Sequence, residues 1–237
     1  MSKHGDNCER CRHKLCTKKV PIFSTLGEEE LGKVSDLIVR KHYSKGELIL
    51  IEGATFDSLI ILNAGKAKAF RDTADGREQI LYIFSAGDFF GEKNLLGKQT
   101  ATYNVEALEE THVCMIRKSD FRNLLRTHPD IGLKVMEELS GRMDRLESSI
   151  ENMGTRSVEA RVSAVLLEFS SKYGKPHEKG VIIELPLSRE GIANYIGLAR
   201  ETVSRKMNYL QDEGIIEMVG NKKVIVLDIN ALESETQ

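Results

Sequence analysis

The hydrophobic period switches from strand to helix near Ser119, and this change limits the possible folds more than any other feature. Upstream, apolar and polar residues trade places in short runs: Glu47 to Ile51, Leu59 to Leu62, Lys66 to Phe70, Gln79 to Phe84, Asn104 to Ala107 and His112 to Ile116. Glycines separate them, and Asp75-Gly76 has the composition of a hairpin turn that needs positive φ. Short strands with glycine turns at this rhythm predict an all-β barrel or sandwich. A helix, Glu28 to Val39, precedes them, with Leu31, Val34, Leu37 and Ile38 three and four apart.

Downstream of Ser119, which reads as an N-cap, the period is helical. Phe121, Leu124 and Leu125 predict a short helix ending before Pro129. A longer helix, Ile131 to Met153, carries Val135, Leu139, Met143, Leu146, Ile150 and Met153 at spacings of three and four. So narrow an apolar stripe suits the pairing of two helices, and the six residues are read as a dimer seam. The other reading is a helix packed on its own domain. Gly154-Thr155 is read as a hinge.

Residues 157–237 return to a compact α+β pattern. Val158 to Phe169 predicts a helix, Lys172 to Lys179 a polar loop, and Val181 to Leu185 a strand. Ser188 caps a helix reaching Ile196, Gly197 makes a tight turn, and Arg200 to Gln211 is the next helix. Ile215 to Val219 and Lys223 to Leu227 then form a hairpin around Gly220-Asn221. Helix, glycine turn, helix and β-wing in this order predict a winged helix-turn-helix.

Charge narrows the partner. The whole chain of 237 residues carries a formal net charge of −2, so a globally basic nucleic-acid binder is excluded. Arg189, Arg200, Arg205, Lys206, Lys222 and Lys223 nevertheless fall on the second helix, its approach and the wing tip, and phosphate contacts need only such a stripe. Arg205 can pair bidentately with guanine O6 and N7, Glu201 can accept from cytosine N4, and Ser204 suits a thymine contact. The predicted partner is double-stranded DNA; the alternative is a winged-helix module that binds protein. No Gly-rich phosphate loop, nucleophile elbow or convergent His/carboxylate set points to an enzyme. No apolar run approaches a membrane span, and the polar N-terminus lacks a signal-peptide core, which predicts a cytoplasmic chain.

The four cysteines are Cys8, Cys11, Cys16 and Cys114. Three lie within nine residues of one another in a basic N-terminal segment, a spacing that in a cytosolic chain suggests a metal or redox site. On ligand grounds, four thiolates, or three with the His13 imidazole, suit zinc. A thiol–disulfide switch between Cys114 and an N-terminal cysteine is another reading, and a merely buried strand cysteine at 114 is a third.

The run Leu187-Ser188-Arg189-Glu190-Gly191-Ile192-Ala193-Asn194-Tyr195-Ile196-Gly197-Leu198-Ala199-Arg200-Glu201-Thr202-Val203-Ser204-Arg205 closely resembles the DNA-reading motif of the CRP/FNR superfamily of bacterial transcription regulators. The order of the chain resembles that superfamily throughout. Glu201-x-x-Ser204-Arg205 is similar to the FNR branch, where the catabolite branch has Gly before the Arg. The resemblance implies an α+β fold: an N-terminal β-roll like the jelly roll of cyclic-nucleotide-binding domains, a long dimerisation helix and a C-terminal winged helix-turn-helix. The corresponding divisions are residues 1–19, 20–118, 119–154 and 155–237. It also implies a homodimer on palindromic sites with TTGAT-like half-sites, and contact with RNA polymerase. Ala199 departs from the family's usual Ser or Thr helix cap, a change worth about 1 kcal/mol.

Cys8-x2-Cys11-x4-Cys16 with distant Cys114 is similar to the FNR oxygen-sensor arrangement, which implies a [4Fe-4S] cluster on those four residues. The four-residue gap before Cys16 departs from that branch's usual five. Phe90-Gly91-Glu92 resembles the start of the cyclic-nucleotide phosphate cassette, which continues with an Arg-Ser pair. Here Thr100-Ala101-Thr102-Tyr103 stands in that region with no arginine, which argues against cyclic AMP and leaves Glu92 an ordinary residue of the roll.

Overall fold

The computed structural model describes residues 20–74, 76–92, 100–155 and 157–236, with the side chains of 145, 148–155 and 158 left aside. Cys8, Cys11, Cys16 and the side chains of Ile150 and Met153 lie outside the described residues. A 3-10 turn, Pro21–Phe23, leads into α1 (Glu28–Leu37). Eight strands follow: β1 (Val39–Tyr43), β2 (Leu48–Leu50), β3 (Ser58–Ala64), β4 (Lys66–Asp72), β5 (Glu78–Ser85), β6 (Phe89–Phe90), β7 (Asn104–Ala107) and β8 (Thr111–Arg117). Then come α2 (Lys118–Thr127), α3 (Pro129–Thr155) and α4 (Val158–Tyr173). The C-terminal part holds β9 (Gly174–His177), β10 (Gly180–Glu184), α5 (Arg189–Ile196), α6 (Arg200–Asp212), β11 (Ile216–Val219), β12 (Lys223–Val226) and α7 (Ile229–Ser234).

The first eight strands form two antiparallel four-stranded sheets, ordered β1-β8-β3-β6 and β2-β7-β4-β5. Gly65 turns β3 into β4 at φ +91, where a Cβ would sit 2.6 Å from the Glu110 carbonyl oxygen, so the turn excludes any side chain. The sequence Val-Arg-Lys-His-Tyr of β1 has no apolar alternation and was not expected to be a strand. It is the outer strand of its sheet, paired from Val39↔Met115 to Tyr43↔Thr111, where charged side chains discourage further pairing. β9, expected as polar loop, is likewise an edge strand, and Pro176 is tolerated there because its missing N–H faces outward. α7 was also not expected.

Packing separates two units. One holds residues up to Lys68 together with Phe84–Met143; the other holds Ala69–Ile83 and residues from Asp144 onward. In the first, Val20, Ile22, Phe23, Leu31, Val34, Leu59, Ile61, Phe89, Cys114, Ile116, Phe121, Leu124, Ile131 and Val135 form one buried apolar core. α2 begins two residues earlier than expected. Its N-cap is Arg117, which gives no side-chain cap, and Ser119 is not the cap. The Lys118 N–H is satisfied instead by the Asp57 carbonyl at 2.7 Å.

The expected seam on α3 splits between two surroundings. Val135 is buried in the core of the roll, and Leu139 packs against the same core. Met143 and Leu146 are exposed, and so are Leu133 and Met136, which the sequence pattern did not include. The roll covers only part of the first turns of α3, so Val135 and Leu139 are enclosed while Met143 and Leu146, further along, stay open. Arg142, on the same helix, is also buried. Its guanidinium lies 4.4 Å over the Phe89 ring, donates to the Phe89 carbonyl and stands 3.6 Å from the Glu92 carboxylate. Glu92 is therefore not an ordinary residue of the roll but the buried counter-charge of α3. No described helix is long and apolar enough to cross a membrane.

Candidate nucleic-acid interface

The helix pair that begins at Ser188 is built from local signals. Ser188 Oγ accepts the Gly191 N–H at 3.1 Å and caps α5. Gly197 ends α5 in the left-handed region at φ 69, with open space around it, so backbone conformation alone calls for glycine. The Leu198 N–H returns to the Ala193 carbonyl at 2.9 Å and closes the turn. α6 then starts from Ala199, which offers no side-chain cap; the departure seen in the sequence leaves the first turn to backbone bonds, including Thr202 N–H to the Ala199 carbonyl at 3.1 Å. Replacing Ser188 with Ala removes the one side-chain cap of the pair. The expected cost is about 1 kcal/mol of stability, read as a lower thermal midpoint with unchanged helix content in the folded state.

Ile192, Ala193 and Ile196 of α5 and Val203, Met207 and Leu210 of α6 are buried. The opposite face of α6 is exposed. Arg200, Glu201, Ser204, Arg205, Asn208, Tyr209 and Asp212 line one open depression of about 660 Å³. Spacings of three and four put Glu201, Ser204, Arg205, Asn208 and Asp212 on a single stripe. Among the described residues, no ion pair engages Arg200 or Arg205, so both guanidiniums are available to a ligand. Asn208, Tyr209 and Asp212 were not singled out from the sequence. Continuing the helical period from Ser204 and Arg205 would have found them.

The remaining site residues fall in three places. Lys222 is exposed at the wing turn between β11 and β12, and its carbonyl accepts from the Leu185 N–H at 2.8 Å, which anchors the turn. Arg189 is half-buried and directs its guanidinium to Met218 Sδ at 2.9 Å, joining α5 to β11. Met218 N–H in turn donates to Gln211 Oε1 at 3.0 Å, so α6 and the wing share a strut. Lys206, read from the sequence as DNA-facing, does not lie on the exposed stripe. It is buried, ion-paired with Glu235 beyond the end of α7, and its ammonium lies 4.5 Å over the Tyr209 ring. The helix turns position 206 to the side of Met207 and Leu210, away from the Arg205 stripe. Within the same unit, Gln79 Nε2 donates to the Asn194 carbonyl at 2.9 Å and satisfies a carbonyl in the last turn of α5.

Residues 40–128 match the cyclic nucleotide-binding domain family, and residues 160–235 match the Crp-like helix-turn-helix domain family. The chain is 31% identical over 218 residues to a probable transcriptional regulator, flp, of Lacticaseibacillus casei, covering 92% of this chain and 96% of that protein. It is 27% identical to the transcriptional activator protein FnrL of Cereibacter sphaeroides, covering 90% of this chain and 87% of the other. The solved structure of FixK2 from Bradyrhizobium japonicum superposes with a TM-score of 0.75 at 24% identity, over 84% of this chain and 98% of that one, and shows the shared fold. The chain belongs to the CRP/FNR family: it is a DNA-binding transcription regulator and not an enzyme. Regulators of this family with this helix-turn-helix bind DNA and act as dimers.

Proposed function

We propose that this regulator binds palindromic DNA with TTGAT-like half-sites as a homodimer, and that oxygen or redox state switches it through a [4Fe-4S] cluster on Cys8, Cys11, Cys16 and Cys114. The exposed stripe of α6 supports the DNA reading. Arg205 is its base-reading cation, Glu201 and Ser204 the neighbouring base contacts, and Arg200 and Lys222 the phosphate contacts. The exposed apolar residues Leu133, Met136, Met143 and Leu146 support pairing of α3 with a second copy, since water-facing apolar side chains along one helix gain most from a matching stripe.

One observation carries the switch. Cys114 is buried in the same apolar core as Val20, Ile22 and Phe23, the first described residues after the cysteine-bearing segment. Four residues run from Cys16 to Val20, a reach of at most about 14 Å for an extended chain. This shared core and short reach support a segment whose cysteines can meet Cys114. Cys114 lies mid-strand in β8, opposite Arg40 on one side and Ile61 on the other, so its position is held by two ladders. The surrounding Ile61, Phe89 and Ile116 keep water from it. Four thiolates fit the donor set of such a cluster. When bound, the cluster supplies an oxygen-labile cross-link between segment and roll.

Protein purified without air should be brown and carry about four irons and four acid-labile sulfides per chain. Exposure to air should bleach it and weaken binding to the palindrome. Cys114→Ser should remain folded, lose the colour and lose the response to air. A colourless protein with one zinc per chain would assign the cysteines to zinc instead. Loss of two titratable thiols on oxidation would assign them to a disulfide switch. DNA affinity identical in the wild type and Cys114→Ser, with and without air, would show that the cysteines are not the sensor.

A further inference from the structure

Lys206 sits on the recognition helix one residue from the base-reading Arg205, yet its side chain is only 8% exposed. An ammonium in that position must have a counter-charge, because an unpaired buried cation is strongly destabilising. Glu235 supplies it from outside the helix-turn-helix. Glu235 is the C-cap residue of α7, and its own N–H is satisfied by the Ala231 carbonyl at 3.2 Å. α7 is anchored at both ends: Asp228 Oδ1 accepts the Ala231 N–H at 3.0 Å, and Leu232 is fully buried. The carboxylate that meets Lys206 is thus presented by a held element. Tyr209, one turn further along α6, carries the ammonium over its ring at 4.5 Å and itself lines the exposed depression.

We propose that Lys206 is a positioning residue, not a phosphate contact: paired with Glu235, it fixes the C-terminal half of α6 and the set of the Tyr209 ring on the DNA-facing side. Glu235, just beyond α7, then takes part in DNA recognition without touching DNA. Without Glu235 the ammonium is left buried and uncompensated, and the long lysine stem moves toward water. The Tyr209 ring loses its partner, and the half of the stripe that holds Asn208 and Tyr209 loosens. The inference rests on the reading of α6 as the DNA-facing helix.

The test uses the full chain and two duplexes of equal length, one with the TTGAT palindrome and one scrambled, titrated at several salt concentrations. Lys206→Met keeps the apolar stem and removes the charge. It should weaken palindrome binding about fivefold, leave scrambled DNA within about twofold and leave the salt slope unchanged, whereas loss of a phosphate contact lowers the slope by about 0.9 per protomer. Glu235→Gln should weaken palindrome binding about fivefold with scrambled DNA unaffected, and adding Lys206→Met should cost nothing further, because both changes break the same pair. If Lys206 instead reaches phosphate and Glu235 merely competes for it, Glu235→Gln strengthens binding to both duplexes and Lys206→Met weakens both. Either result overturns the proposal, as does a Glu235→Gln variant indistinguishable from wild type. Should Glu235→Gln not fold, the slope of Lys206→Met decides alone. A wild type with no preference for the palindrome counts against the TTGAT assignment, while the slope on scrambled DNA still tests Lys206.

Discussion

Arg205→Ala should abolish discrimination between the palindrome and random DNA while leaving weak, salt-sensitive binding to both. Arg205 is exposed on the α6 stripe, flanked by Ser204 and Asn208, with the buried Val203 and Met207 holding the helix from behind. A bidentate guanidinium–guanine pair is worth about 1–3 kcal/mol of discrimination, and a two-fold complex loses it twice. The expected loss on the palindrome is therefore roughly 2–6 kcal/mol, or about 30-fold to 20,000-fold in affinity. Binding to scrambled DNA, dominated by phosphate charge, should change little by comparison. Lys222→Ala offers the contrast: an exposed wing-tip cation should weaken all sequences alike and lower the salt slope by about 0.9 per protomer. Equal losses on both duplexes for Arg205→Ala, measured at one salt concentration, would remove Arg205 from base reading.

The second large effect is expected on α3. Met143→Glu combined with Leu146→Glu should give monomers. Met143 is 60% exposed and Leu146 40%, so neither contributes much to the fold of its own chain. In a symmetric pair each substitution occurs twice, and the new carboxylates meet across a desolvated seam. Burying such unpaired charges costs several kcal/mol, enough to raise the dimer dissociation constant by at least about a hundredfold. The palindrome requires two recognition helices about 34 Å apart, so specific DNA binding should fall with the dimer. Val135→Glu makes the control. Val135 lies in the core of the roll, so that variant should lose stability before it loses association. Sedimentation that finds the Met143→Glu/Leu146→Glu chain still dimeric would place the interface elsewhere.

The different fates of Val135 and Met143 show where a linear pattern stops being sufficient. Both lie on one apolar stripe, and both suit a seam. Only the position of the roll decides that the first is covered by Leu31, Phe121 and Ile131 and their neighbours, whereas Met143 stays open. Leu133 and Met136 stand about 160° and about 100° around the helix from Val135, at 3.6 residues per turn, so they face away from the roll and stay exposed.

What the amino-acid order determined by itself was local in origin. Ser188 as a cap, Gly197 as a left-handed turn, Ala199 as an uncapped start and the wing hairpin at Gly220 depend on neighbours within a few residues. The helix-turn-helix and the Glu201–Ser204–Arg205 stripe could be read for that reason. The strands β3, β4, β5, β7 and β8 were legible from alternation and glycine turns. β1 and β9 were not, because an edge strand buries little and has no apolar face to advertise. Tertiary structure alone decided the charged pairs. Lys206 meets Glu235 across 29 positions, and Arg142 reaches the Phe89 carbonyl across 53. A lysine or arginine in a sequence shows its charge but not its counter-charge. Its residue type therefore predicts a solvated or DNA-facing group until the fold brings the partner to it and makes burial the lower free energy.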